Sequence, residues 1–202
     1  MPSIAVHLTL AHAAAKALGV TDLPQFYLGN IAPDAVNVSG FAPAEERYAA
    51  HLRSRSYSEW KRQISAYRAA HAEEYALCPD FLTGVLLHLY TDIAWDEAVQ
   101  PQLFDHLRGR GFKEEELNPR KWDELRGFDS LLAEKQPYRE AVTALTHAEP
   151  HAVTTVTADQ LALWRDKIVN LDYPYPAPQF LTEAHIQLAL IRALELYNKS
   201  SS

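Results

Sequence analysis

Apolar positions recur at helical spacing along nearly the whole chain. Residues 3–18 place Ile4, Leu8, Ala11, Ala15 and Leu18 on one face, and Gly19 follows as a stop. Pro24 opens a short helix, "PQFYLGNIA", which Pro33 ends. Residues 57–76 form an amphipathic helix with Trp60, Ile64 and Tyr67 together. Pro79 sits at a first-turn position and starts a strongly apolar helix to about residue 99, where Pro101 interrupts or kinks it. Asn118-Pro119 predicts a cap and a helix over about 119–134. Another helix runs from near Pro137 to about 148. "TADQ" at 157–160 is a capping box opening a helix to about 170, and a last helix covers 182–198. Only "HAVTTVT" at 151–157 hints at a strand. "DYPYPAP" at 172–178 is a proline-rich connector, but the one helix beyond it cannot bury a core alone. The expectation is a single all-α domain over residues 1–202, with seven or eight helices.

Composition narrows the picture without changing it. Of 202 residues, 48% are hydrophobic and 22% charged, as in soluble globular proteins, and a chain of this length buries a substantial core without staples. The net charge of -7 argues against a nucleic-acid polymer as partner. A single cysteine, Cys78, excludes an internal disulfide. The N-terminal stretch is apolar, but it lacks a positive leader and is broken by His7 and His12, so it does not read as a signal peptide. No run is long and apolar enough to predict a transmembrane helix. The default expectation is a cytoplasmic location; the oligomeric state is not legible.

The candidate chemistry lies in "GVLLHLYTDIAW", residues 84–95. On a helix, His88, Asp92 and Asp96 follow one another four apart, on one strip of an otherwise apolar surface. Two carboxylates so placed repel, and burying them unpaired costs far more. No Lys or Arg occurs between residues 69 and 107, so the strip calls for a cation from elsewhere. Gly84, one turn earlier, makes room for something large or for another backbone. A metal ion answers each point, since His and Asp four apart reach one ion from one helix face. Other ligand types lie upstream: His7 among apolar neighbours, Asp34 directly after Pro33, and His51 in "ERYAAHL". Each has an ordinary alternative, respectively a satisfied core histidine, a turn or cap residue, and a surface residue.

The order of these segments, "VHLTLAH", "YLGNIAPDAV", "AAHL" and "FLTGVLLHLYTD", resembles the zinc-dependent phospholipase C family, which is related in fold to the P1-type nucleases. The resemblance covers about residues 1–100. It implies an all-α fold in which clustered zinc ions, held between helices, bind a phosphate ester and activate water. Carried over, Asp34, His51, His88 and Asp92 hold one ion, and Asp92 bridges to a second that His7 also binds. Asp92 and Asp34 are thereby the candidate catalytic residues. The family commonly follows the Asp with another His. Here "IAWDEAV" stands instead, with Asp96 near that place, which leaves a third metal site without its ligand. In secreted members the processed N-terminal amine is itself a ligand. Here Met1 precedes Pro2, and trimming of Met1 is an open question.

The expected function is therefore metal-dependent hydrolysis of a small phosphate ester, with one or two Zn2+ ions, Mn2+ and Fe2+ being alternatives. A non-catalytic metal-binding protein or interaction module is the other reading. Trp95, beside Asp96, is the best aromatic candidate to line a pocket. Glu124 and Asp129 either face the site or belong to a solvated acidic face. His106, His147, His151 and His185 read as surface or helix-end residues.

Overall fold

A computed structural model describes residues 2–200; Met1, whose trimming was left open above, and the last two serines lie outside the described residues. Among the described residues ten α-helices follow one another: α1 (Ile4–Ala14), α2 (Leu23–Ile31), α3 (Ala44–Ala50), α4 (Tyr57–His71), α5 (Pro79–Ala94), α6 (Gln100–Gly109), α7 (Glu114–Ala133), α8 (Gln136–Leu145), α9 (Ala158–Val169) and α10 (Glu183–Lys199). A 3-10 helix (Ala32–Asn37) extends α2, and a π-helical turn (Trp95–Val99) joins α5 to α6. The described residues form no strand, and none of their helices is long and apolar enough to cross a membrane.

Helix α5 is buried on nearly every side, as expected of a helix apolar all round. It packs against α2, α10 and α4, with α1 alongside. The crossing with α2 is unusually close. A Cβ at Gly84 would overlap the Phe26 carbonyl oxygen and lie 2.8 Å from the Asn30 nitrogen, and a Cβ at Gly29 would overlap the Phe81 carbonyl oxygen. Gly84 thus makes room for another backbone. Asn30 ties the crossing, its side-chain amide donating to the Gly84 carbonyl at 3.3 Å.

Several boundaries differ from the sequence reading, each for a local reason. Pro101 does not stop the helical path. In the turn before it the Gln100 N–H reaches back to the Trp95 carbonyl, five residues away, so the widened turn accommodates a residue with no N–H of its own. Pro33 likewise falls inside the 3-10 extension. Helix α7 begins well before Pro119, which lies in its interior. Three glutamates in the first turn favour the helix N-terminus there, and the Glu116 carboxylate accepts the Lys113 N–H at 2.9 Å. Helices α3 and α6 carry too few apolar positions to show a period. "HAVTTVT" is a tight turn closed by paired hydrogen bonds between Val153 and Val156, not a strand. The capping box at Thr157 and the left-handed Gly19 after the first helix are as the sequence implies. The proline-rich connector lies against α7, where a Cβ at Gly127 would overlap the Pro176 carbonyl oxygen.

The α2–α5 crossing is open to test. Gly84→Ala should lower the unfolding free energy by about 1–3 kcal/mol in a urea titration, because backbone rather than a pliant side chain must move. Gly109→Ala, where nothing lies within 4 Å of the added carbon, should instead raise it by about 0.4–1 kcal/mol.

Candidate metal centre

Four segments deliver five side chains to one place. His7 comes from α1, Asp34 from the 3-10 helix, His51 from the C-terminal end of α3, and His88 and Asp92 from α5. The three histidines and Asp92 are fully buried, and Asp34 is 8% exposed. Backbone carbonyls set the rings. His88 Nδ1 lies 2.7 Å from the Asn30 carbonyl, and His51 Nδ1 lies 2.8 Å from that of Arg47. A carbonyl only accepts, so each Nδ1 carries the proton, and each Nε2 turns inward with its lone pair. Trp60 Nε1 donates to the His51 carbonyl at 2.9 Å, and Thr154 Oγ1 donates to that of Ala50 at 3.0 Å, so α4 and the 151–157 turn hold the His51 loop.

The inward atoms face one another. Asp92 Oδ1 lies 3.5 Å from His7 Nε2, while Asp92 Oδ2 lies 3.8 Å from His51 Nε2 and 3.9 Å from His88 Nε2. Asp34 Oδ1 is 3.3 Å from His51 Nε2. The His7 and His88 rings stack at 3.8 Å and 7°. All three Nε2 atoms and both Asp92 oxygens lack a hydrogen-bond partner, although each is buried. So many buried acceptors without donors would be costly unless a cation lies among them. The spacings agree, because two ligands about 2.0–2.2 Å from one tetrahedral ion sit roughly 3.3–3.5 Å apart. Two groups have metal-ligand proximity: His7, His88 and Asp92, and Asp34, His51 and His88. These buried groups have the donor set to hold a metal ion.

Protonation follows the same logic. Burial drives the His88 pKa down to about 3, with His7 adding to the effect, so that ring stays neutral. Burial alone would push the Asp92 carboxyl up, but His7, His88 and His51 outweigh it and hold the group below the usual carboxylate range. Burial would likewise raise Asp34, yet His51 and the other imidazoles lower it on balance. Burial would lower His51, and there Asp34, Asp92 and the Arg47 carbonyl prevail and raise it. The two carboxylates draw a positive charge into their midst, as a proton on His51 or as a metal ion.

Beside this cluster opens a cavity of about 400 Å3, which Asp34 lines. Asp96 lines it too, but outside the ligand groups. Its Oδ2 accepts from Arg53 Nη2 at 2.7 Å. The cation missing from its own helix comes from the loop after His51. Trp95 is fully buried in the core and does not border this cavity, since its turn packs on α10; Trp122 borders it instead. Glu124 is buried away from the ligand groups. Its carboxylate accepts the N–H groups of Gln179 and Phe180 at 2.9 Å and Leu181 at 3.3 Å, anchoring the end of the connector. Asp129 accepts from Ser3 Oγ at 2.5 Å and from the Ala5 backbone, and burial pushes its pKa up to about 7. Neither belongs to a solvated face. His106, His147, His151 and His185 stay outside the ligand groups. Sequence reasoning passed over Asn30 and Trp60. A buried Asn in "YLGNIAPD" was the one signal for the former, and the latter read only as core.

No family model, curated protein or solved structure matches this chain.

Metal titration separates the roles of the two α5 carboxylates. Zn2+ at about 100 times its dissociation constant should raise the unfolding free energy of the protein by about 2.7 kcal/mol. Asp92→Asn should abolish most of that gain, whereas Asp96→Asn should keep the metal stoichiometry and lose the Arg53 pair. Elemental analysis alongside thermal unfolding reads both.

Proposed function

We propose that the protein is a metal-dependent hydrolase of a small phosphate ester, built like the zinc-dependent phospholipases C and P1-type nucleases, with zinc as its ion. The observation that carries this reading is the convergence of three unpartnered imidazole nitrogens and both Asp92 oxygens beside a cavity that Asp34 lines. Mixed nitrogen and carboxylate donors suit zinc. Asp92 turns Oδ1 toward His7 and Oδ2 toward His51 and His88, so it would serve both ligand groups.

Bound there, divalent ions supply polarisation of a phosphoryl oxygen and a lowered pKa for water. The chain's own residues do the remaining work. The carbonyls of Asn30 and Arg47 keep His88 and His51 in the tautomer that presents Nε2. Apolar α1 and α5 exclude bulk water behind the cluster. Asp34, kept ionised by its imidazole neighbours, has contact with both cluster and cavity and so orients a water beside the ester.

The second reading is a metal-binding protein without turnover. The Arg53–Asp96 pair favours it, because it occupies the place where a third set of ligands is expected. Hydrolysis of p-nitrophenyl phosphate and bis(p-nitrophenyl) phosphate with added Zn2+ or Mn2+ decides between them. The expected outcome is metal-dependent release of nitrophenol that falls on the order of 100-fold or more in Asp34→Asn. Tight metal binding with no turnover of either ester would establish the second reading.

A further inference from the structure

The cavity that Asp34 borders holds three cations beside three carboxylates, Asp34, Asp96 and Asp129. Arg47, Arg53 and Lys121 all line it, although the chain as a whole carries a net charge of -7. Arg53 is neutralised by Asp96. Arg47 and Lys121 form no ion pair with a carboxylate among the described residues. Arg47 donates through Nε to the Ala42 carbonyl at 3.0 Å and lies over the Phe41 ring, and the Lys121 ammonium lies 4.7 Å from the centre of the Trp122 ring. Lys121 is half-buried. Burial pulls its pKa below the usual lysine value, Arg53 and Arg47 add to that, and Asp96 opposes it. The two cations without a carboxylate partner repel across the cavity, and the arrangement is eased when an anion enters.

Charge balance selects the anion. Asp96 is paired with Arg53, and Asp34 is paired with His51 in the cluster, which leaves Arg47 and Lys121 as the cavity cations without a carboxylate partner. Asp129, also on the wall, is engaged with Ser3 and the Ala5 backbone. A phosphomonoester carries about -1.5 to -2 at pH 7, whereas a diester carries a single negative charge. The rim is aromatic, with Phe41 and Trp122 meeting edge to face at 6.4 Å and Tyr48 beside them, and Phe41 is 70% exposed. A volume of about 400 Å3 suits a small molecule rather than a polymer.

We infer that this cavity binds a phosphomonoester dianion with a flat apolar body, in which Lys121 and Arg47 select the doubly charged ester and the aromatic rim holds its organic group. The inference rests on the hydrolase reading for its chemistry but not for its test. Calorimetric titration of phenyl phosphate, methyl phenyl phosphate and glycerol phosphate is run on the full chain, both stripped of metal and loaded with Zn2+. Phenyl phosphate should bind about tenfold more tightly than the other two in both forms. Lys121→Met should erase the preference over the diester while leaving zinc affinity unchanged, and Lys121→Arg should restore it. A wild-type protein that binds monoester and diester alike, or a preference that survives Lys121→Met, would overturn the charge selection. Glycerol phosphate bound as tightly as phenyl phosphate would overturn the role of the rim. A protein that shows these preferences yet hydrolyses nothing would fail the hydrolase reading alone.

Discussion

The backbone contact between α2 and α5 is the constraint on which the site depends. Two helices approach this closely only where neither carries a side chain at the crossing, and Gly29 and Gly84 meet that condition from both sides. One turn beyond Gly84 lies His88, and one residue beyond Gly29 lies Asn30, whose carbonyl accepts a hydrogen bond from His88 Nδ1–H. The crossing therefore fixes ring orientation and tautomer together. The 3-10 extension of α2 then carries Asp34 to the same place. A larger side chain at either glycine would separate the imidazole from the carbonyl that aims it.

Around that crossing the fold accepts a local cost. Asp92 and three histidines lie in an apolar interior where Leu and Phe would pack with no polar atoms to satisfy. Residues in this state are retained for function more readily than for stability. The surrounding core is correspondingly rich, with Trp60, Trp95, Tyr90 and Phe81 almost wholly buried. By contrast, the other buried acids are satisfied by neutral donors, Glu124 by three backbone N–H groups and Asp129 by Ser3 and Ala5. The comparison separates carboxylates satisfied by neutral donors from carboxylates placed in groups that could hold a metal ion.

The helical architecture and the His88–Asp92 pair were legible because both depend on short-range spacing, whereas His7, Asp34 and His51 were singled out only by the order of their segments in a family resemblance. A buried helix announces itself by its apolar run, and His88 and Asp92 by their separation of four. What escaped depends on contacts distant in sequence. The partner of Asp96 is Arg53, 43 residues away, so a search along α5 finds no cation. Glu124 and Asp129 are open between the site and a solvated face until the connector and the N-terminal segment are seen to cover them. Trp95 read as a pocket residue, but its turn packs on α10 and buries it, while Trp122 of α7 borders the cavity. Pro119 misled for a related reason. It marks a helix start in isolation, but the glutamates upstream determine where the helix begins.

His51 differs from the other cluster residues in how it is held. His7, His88 and Asp92 belong to helices embedded in the core, whereas His51 ends a seven-residue helix whose sole buried member is Ala50. The next residue, Leu52, has φ of +49°, which a branched side chain adopts at some cost. The loop is pinned by hydrogen bonds from Trp60 and Thr154, residues of other elements. Such a segment opens at far lower free energy than the helices beneath it. His51 therefore owes its position to hydrogen bonds from α4 and the 151–157 turn, and loosening either would displace its Nε2 before it disturbed His7 or His88.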